Sequence, residues 1–386
     1  MMRYDILIVG AGIAGASLGA ELAAHGSVLM IEAEDAPGRH ATGRSVAFWS
    51  ETYGGPGIQP LSVASRPFLT APDPAFSETG FLSPRGELHI GRAEDAPLRA
   101  AMMAEFSDMG MPFLLPDATE LRARIPGLRE QWVVGLEEPS TMDIDVAALH
   151  GAWLRRFSRA GGTLRTRAPL GAARRVPAGW IVEIGGEEVA CGTIVNAAGA
   201  WADPVAALCG IAPLGIAPLR RCVVQIRVDP PASEAMPLVM DLAGGFYFKP
   251  VGGGRLWLTP HDEVPSVPCD AAPEELDIAI AIDRFQSVVD WPIRAVEQRW
   301  AGLRSFAPDR LPVYGRDPAD PAFFWFAGQG GFGIQTSPAA ALIGRALMTG
   351  DAMDDAVSAI DAARFSPARF HGNAPHSALA IGSAAQ

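Results

Sequence analysis

The chain has 386 residues, 49% of them hydrophobic and 19% charged, which is enough apolar content for a large core and a length suited to two or three domains. A formal net charge of −12 makes it a poor partner for phosphate backbones and argues against nucleic-acid binding. Its four cysteines form no CxxC pair, which argues against a disulfide framework and for a reducing cytoplasm.

Ile6, Leu7, Ile8 and Val9 form a short apolar run of the kind that makes a buried parallel strand. Asp5 and the glycines that follow distinguish this stretch from a secretory leader. No run of about 18 apolar residues occurs elsewhere, so the chain is expected to be soluble and unprocessed. Gly10, Gly12 and Gly15 then stand in G-x-G-x-x-G order, with Ile13 and Ala14 between them. Ala16 and Ser17 keep the next helix slim enough to lie on a sheet. Val28 to Ile31 is a second apolar run, closed by Glu32 about 20 residues past the first glycine and followed by Ala33. Strand, glycine turn, helix, strand and terminal acid in this order predict a dinucleotide site. The pyrophosphate would sit at the helix N-terminus and a ribose hydroxyl pair on Glu32. A carboxylate there repels the extra phosphate of NADP.

Further along, GFLSPRGELHIGR alternates and puts Glu87 and His89 on one face of a strand. Asp145 has the place of an N-cap for a helix that Gly161 and Gly162 end, with Leu164 to Arg167 as the next strand. WIVEIGGEEVACGTIVN reads as two strands about a Gly-Gly hairpin. RRCVVQIRVDP is another strand, and GGFYFKPVGGGRLWLTP a hairpin across Gly252 to Gly254. Alternation sends Arg220 and Arg221 to opposite faces, one of them solvated. Lys249, the only lysine, is expected at the surface. Arg304 lies within the apolar WAGLRSF, where a charge needs a partner or a water-filled cavity.

Gly328 to Gly333 repeats the G-x-G-x-x-G spacing between an aromatic strand, Phe323 to Phe326, and a helix from Ser337. No strand with a terminal acid follows. It therefore reads as a glycine loop that meets partial negative charge at a helix N-terminus, not as a second dinucleotide site. His25, His40, His150 and His261 form no cluster, and no metal site is expected. The tail after about Ser366 is rich in small residues and is expected to be loosely ordered.

These pieces predict an α/β protein. Residues 1–80, 145–215 and 305–370 would form a discontinuous Rossmann-like dinucleotide-binding domain. Residues 81–144 and 216–304 would form an inserted α+β antiparallel-sheet substrate domain, and 371–386 the tail.

The segments GAGIAGAS, PGRHATGRS, IVNAAGAWAD, WAGLRSFAPDRLPVYG and GGFGIQTS follow one another across nearly the whole chain. Together they resemble the D-amino-acid oxidase/glycine oxidase superfamily of FAD enzymes and, within it, the bacterial FAD-dependent D-arginine dehydrogenases. The resemblance implies a glutathione-reductase-like FAD domain. The cofactor would be non-covalent, because no cysteine stands in LRSFAPDRLPVYG, where some relatives attach flavin. It places Gly10, Gly12, Ile13, Ala14, Gly15, Glu32 and Ala33 on the pyrophosphate and ribose. Thr42, Gly43, Arg44 and Ser45 fall beside the flavin phosphates and ring, Pro169 at the adenine, and Ala198 and Gly199 along the cofactor channel. Gly330, Gly331, Gly333, Ile334 and Gln335 fall around the ring carbonyl edge.

For the substrate, the resemblance implies Arg221 and Arg304 as carboxylate ligands, with Tyr53 and Tyr247 as hydroxyl partners. Gly302 would offer a carbonyl to the amine, and Glu87 would reach a basic side chain. Phe48 stands where the dehydrogenases carry a histidine. The activity implied is oxidative deamination of D-amino acids, with hydride passing from the substrate α-carbon to flavin N5 and an imino acid hydrolysing to a 2-oxo acid. Phe48 with Trp49 favours an apolar side chain, Glu87 a basic one. An oxygen-using oxidase of glycine-like or secondary amines, and a 2-hydroxy-acid dehydrogenase, remain open on the same scaffold. So does the electron acceptor.

Overall fold

In the computed structural model, which describes residues 1–370, Met2–Val9 is an inner strand of an eight-stranded sheet. It pairs in parallel with Val28–Ile31 on one side and with Glu187–Asn196 on the other. Thr163–Arg165 and Phe323–Ala327 extend the parallel array outward. Alternation splits the central run: Ile6 and Ile8 join one hydrophobic cluster, Leu7 and Val9 another. The first cluster is filled from the helices Ile13–Leu22, Val146–Arg159 and Ser337–Thr349. The second is closed by Ala202–Leu208 and the hairpin Gly179–Ile184 with Glu187–Asn196. That hairpin turns at Gly185 and Gly186, with φ of 59° and 86°, the backbone that a two-residue turn between twisted strands requires. Asp145 caps its helix, its carboxylate accepting from the Ala148 N–H at 2.9 Å. The strand after that helix stops at Arg165, short of Arg167, which takes a left-handed φ of 50°.

The second sheet has nine strands and is mostly antiparallel. Its spine is the pair Ala217–Ala232 and Ile293–Phe306, and Glu87–Gly91 and Val134–Glu138 lie toward its far edge. Val224 and Ile226 point to the helix Glu275–Val288 and pack with Ile278, Ala281 and Phe285. Alternation sends Arg221 and Val223 to the other face. A small third sheet, Phe48–Trp49, Leu82–Pro84 and Met142–Ile144, ties the two together. The result is an α/β fold in which a Rossmann-like sheet faces an α+β antiparallel sheet. No helix among the described residues is long and apolar enough to cross a membrane.

Two expectations need correction. Lys249 is buried: its Nζ donates to Asp143 at 2.7 Å and to the Ala47 carbonyl at 3.1 Å, so a neighbouring carboxylate, not water, balances its charge. Residues 367–370 are docked, because Arg369 binds Asp309 and the carbonyls of Leu311 and Pro312. The expected loose tail at 371–386 lies outside the described residues.

Candidate active site

A cavity of about 450 Å³ runs between the two large sheets. At one end is the glycine turn. Gly10 has a φ of 103°, and a Cβ there would stand 2.5 Å from the Ala197 carbonyl oxygen. A Cβ at Gly15 would stand 1.9 Å from the Gly10 oxygen, so Gly15 serves the approach of helix to strand and does not line the cavity. Gly12, Ile13 and Ala14 do line it, and the helix opens on the cavity with a glycine, Gly12, as its N-cap. Glu32 Oε2 accepts from Ala11 N and Oε1 from Glu34 N, each at 3.0 Å. Each oxygen keeps a lone pair for a ribose hydroxyl. His150, on the buried face of the Asp145-capped helix, bonds the Ala11 carbonyl at 2.9 Å through Nε2. Burial holds that imidazole below its ordinary pKa. The sequence marks it only by its place on the apolar stripe Leu149, Trp153 and Phe157.

Ala33, Pro169, Ala198 and Gly199 continue the wall. Thr42, Arg44 and Ser45 line it as well, and Thr42 Oγ1 accepts from Ile13 N at 3.0 Å. Gly43 stands behind them, its N–H on the Gly38 carbonyl. Arg44 binds the carbonyls of Ala271 and Ala301, each at 2.9 Å, and the Asp270 carboxylate. Cys269 and Ala271, on either side of Asp270, also face the cavity, which the sequence did not signal. Gly330, Gly331, Gly333 and Ile334 come from the second glycine loop. Gln335 is instead a brace: its amide accepts from Ser50 N and donates to Ser62 Oγ at 2.7 Å and to the carbonyls of Ser50 and Tyr53.

The far end holds two arginines. Arg221 is 4% exposed and its Nη1 has no partner, while Nε donates to the Asp262 carbonyl and Nη2 lies 3.5 Å from Glu263. Burial, then the neighbouring Arg304, pulls Arg221 below its ordinary pKa. Arg304 reaches Tyr247 Oη at 3.4 Å and lies 5.7 Å from the centre of the Tyr53 ring. Gly302 and Tyr247 line the same end. Phe48 and Tyr53 stand behind the wall in an edge-to-face cluster with Tyr247. His261, unmarked in the sequence, packs edge-on against Tyr247, and burial with the two arginines pushes its pKa down to about 3.

Arg220, on the opposite face, is not solvated but paired with Glu274 and Asp277. Cys222, Asp262 and Asp277 come together there, but the Cys222 thiol, raised by burial, donates to Asp277, which also receives Arg220 and the Glu274 N–H. Glu87 does not line the cavity. It is fully buried, 2.8 Å from His89 Nε2, and accepts from Thr141. Arg85 turns instead to Asp143.

A helix start with a glycine N-cap on the cavity, a glycine turn with no room for side chains, an acid beyond the second strand and a long cavity between the sheets fit an extended dinucleotide. Residues 5–346 match the family described as FAD dependent oxidoreductase, DAO. The chain is 26% identical over 389 residues to the glycine oxidase of Geobacillus kaustophilus, covering 96% of this chain and 98% of that protein. That enzyme's crystal structure superposes with a TM-score of 0.82 at 24% identity, covering 96% and 99% of the two chains. The L-proline dehydrogenase from P. horikoshii superposes at 0.80 with 20% identity, over 96% and 98%. The L-alpha-glycerophosphate oxidase from Mycoplasma pneumoniae, with FAD bound, superposes at 0.80 with 16% identity, over 90% and 95%. The chain belongs to the DAO family of FAD-dependent oxidoreductases, and FAD is its cofactor.

Proposed function

We propose that the protein oxidatively deaminates amino acids, with D-amino acids as the substrate class that its sequence resemblance implies. The observation that carries this reading is the unpartnered Nη1 of the buried Arg221, beside Arg304, on the cavity wall. A buried donor left unmade costs about 1–3 kcal/mol, more when charged, and a substrate carboxylate removes that cost. Two guanidiniums can grip the carboxylate in a fixed plane, fixing two substituents of the α-carbon. The Gly302 carbonyl is the acceptor proposed for the amine. The carboxylates on the cavity wall, Glu32 and Glu34, belong to the nucleotide end. No carboxylate base therefore faces the amine among the described residues, and the substrate binds with its amine already neutral. Bound FAD supplies the acceptor for the hydride leaving the α-carbon. The substrate loses that hydride and an amine proton; the imino acid then takes up water and yields a 2-oxo acid and ammonia. Gly10, Gly12, Ile13, Ala14, Glu32, Ala33, Thr42, Arg44, Ser45, Pro169, Ala198, Gly199, Gly330, Gly331, Gly333 and Ile334 would hold the cofactor, with Gly15, Gly43 and Gln335 supporting them.

Of the two side-chain expectations, an apolar group is favoured over a basic one. Glu87 is engaged with His89, while Phe48, Tyr53 and Tyr247 make that end aromatic. An anaerobic panel of D- and L-amino acids, glycine and 2-hydroxy acids, followed by loss of flavin absorbance, tests the reading. D-amino acids with apolar side chains should bleach the flavin. Bleaching by hydroxy acids alone would refute it. A second reading, an oxygen-using glycine oxidase, is supported by the 26% identical relative, and peroxide yield with glycine under air separates it.

A further inference from the structure

The turn that carries Tyr53 is held from both sides by buried side chains that do not line the cavity. Gln335 grips it from the second glycine loop. From the antiparallel sheet, Glu138 grips it more fully. This carboxylate is 1% exposed and accepts from Glu51 N at 2.7 Å, Thr52 Oγ1 at 2.6 Å, Ser50 Oγ at 3.1 Å and Thr52 N at 3.4 Å. Ser50 Oγ in turn accepts from Tyr53 N at 3.2 Å. Four donors from three consecutive residues converge on one carboxylate. The next residue is the tyrosine whose ring lies beside Arg304 and whose hydroxyl would stand 3.0 Å from a Cβ at Gly331.

Burying a carboxylate is costly unless its oxygens are satisfied. Here the donors belong almost wholly to the 50–52 turn, with Ser140 Oγ as the one other. The turn and the carboxylate therefore specify each other. Glu138 stands beside Glu87, directly across the ladder, and Glu87 is matched to His89. The cluster thus ties the far edge of the antiparallel sheet to the wall of the carboxylate end.

We infer that Glu138 is a positioning residue for substrate binding: through Ser50, Glu51 and Thr52 it fixes Tyr53 against Arg304. This rests on the carboxylate-clamp reading above. A glutamine at this position keeps the shape but turns an N–H₂ toward donors, so at least one hydrogen bond is lost and the turn relaxes.

The experiment uses the FAD-loaded protein with benzoate as an inert carboxylate, its binding read from perturbation of the flavin spectrum, together with steady-state kinetics on the best substrate. Glu138→Gln should raise the benzoate Kd and KM about tenfold, with kcat and FAD content changed less than about twofold. Thr52→Val, which removes one donor, should shift both in the same direction by a smaller factor and serves if Glu138→Gln folds poorly. In a Tyr53→Phe background, Glu138→Gln should add little, because the path to the carboxylate is already broken. Full additivity in that cycle, or an unchanged benzoate Kd in both Glu138→Gln and Thr52→Val, would overturn the inference. Normal benzoate affinity in Arg304→Ala would overturn the carboxylate clamp and the inference with it. Loss of affinity there, with both Glu138→Gln and Thr52→Val unchanged, would overturn the inference alone.

Discussion

Arg221 and Arg304 project from adjacent antiparallel strands onto one face of the second sheet. Arg221 stands directly across the ladder from Gly302, and Arg304 lies two residues beyond Gly302, hence on the same side. Register alone thus brings two guanidiniums together on that face. Charge-assisted hydrogen bonds contribute about 1.5–3 kcal/mol each, so losing a two-point grip costs at least a hundredfold. Arg304→Ala should lower kcat/KM by about that factor. It should retain FAD, because the nucleotide end is untouched. Kinetics and the ratio of flavin to protein absorbance check both, and near-normal kcat/KM would remove the clamp.

Two glycines on the cofactor's wall differ in what an added side chain would meet. A Cβ at Gly331 would stand 3.0 Å from both Arg304 Cζ and Tyr53 Oη, which are side-chain ends that can shift. Gly331→Ala should weaken substrate binding by about tenfold with the protein still yellow. A Cβ at Gly10 meets the Ala197 carbonyl at 2.5 Å in a backbone with φ of 103°. Neither atom can yield cheaply, and the conformational cost alone is about 1–3 kcal/mol. Gly10→Ala should lose FAD and melt several degrees lower. Flavin content and thermal melts distinguish the two outcomes.

The local chemistry of this fold was legible because it lies within a few residues of chain. Strand, glycine turn, helix and Glu32 announce the nucleotide end in order, Asp145 announces its helix, and Gly185 with Gly186 announce their turn. Arg221 and Arg304 were reachable too, since alternation assigns each a face. What was hidden depends on distant chain. Lys249 meets Asp143, more than a hundred residues away, so hydropathy assigned it to water. Glu138 and His261 act through turns whose approach to the site is tertiary. Glu87 sits on the expected face, yet the neighbour His89 takes the charge that a ligand would need.

Lys249 offers a test of that hidden pairing. Its ammonium holds Asp143 and the Ala47 carbonyl, where Ala47 takes a left-handed φ of 57° beside Val46 on the cavity wall. Abandoning one partner of a buried pair costs about 3–5 kcal/mol when nothing replaces it. Arg85 also reaches Asp143, so Lys249→Met should cost less than that. Adding Asp143→Asn should recover little, because Arg85 then loses its own partner. Urea midpoints measure both, and a shift as small as that of a surface substitution, within about 0.5 kcal/mol, would contradict the burial.

His261 should leave its mark on acid stability. Burial and the two arginines hold its pKa at about 3 in the folded chain, whereas an unfolded histidine titrates near about 6.5. Between those values the unfolded state binds the extra proton, so stability falls as pH drops from about 6.5 toward 3 and is fully present above 6.5. The residue also takes a left-handed φ of 54°, which asparagine tolerates better than most side chains. His261→Asn should therefore keep the turn and lose the titration. Melting temperatures at pH 7, 6, 5 and 4 should show the native protein's advantage over the variant shrinking as the medium is acidified. A constant offset across that series would mean that the imidazole is free to take up its proton in the folded protein.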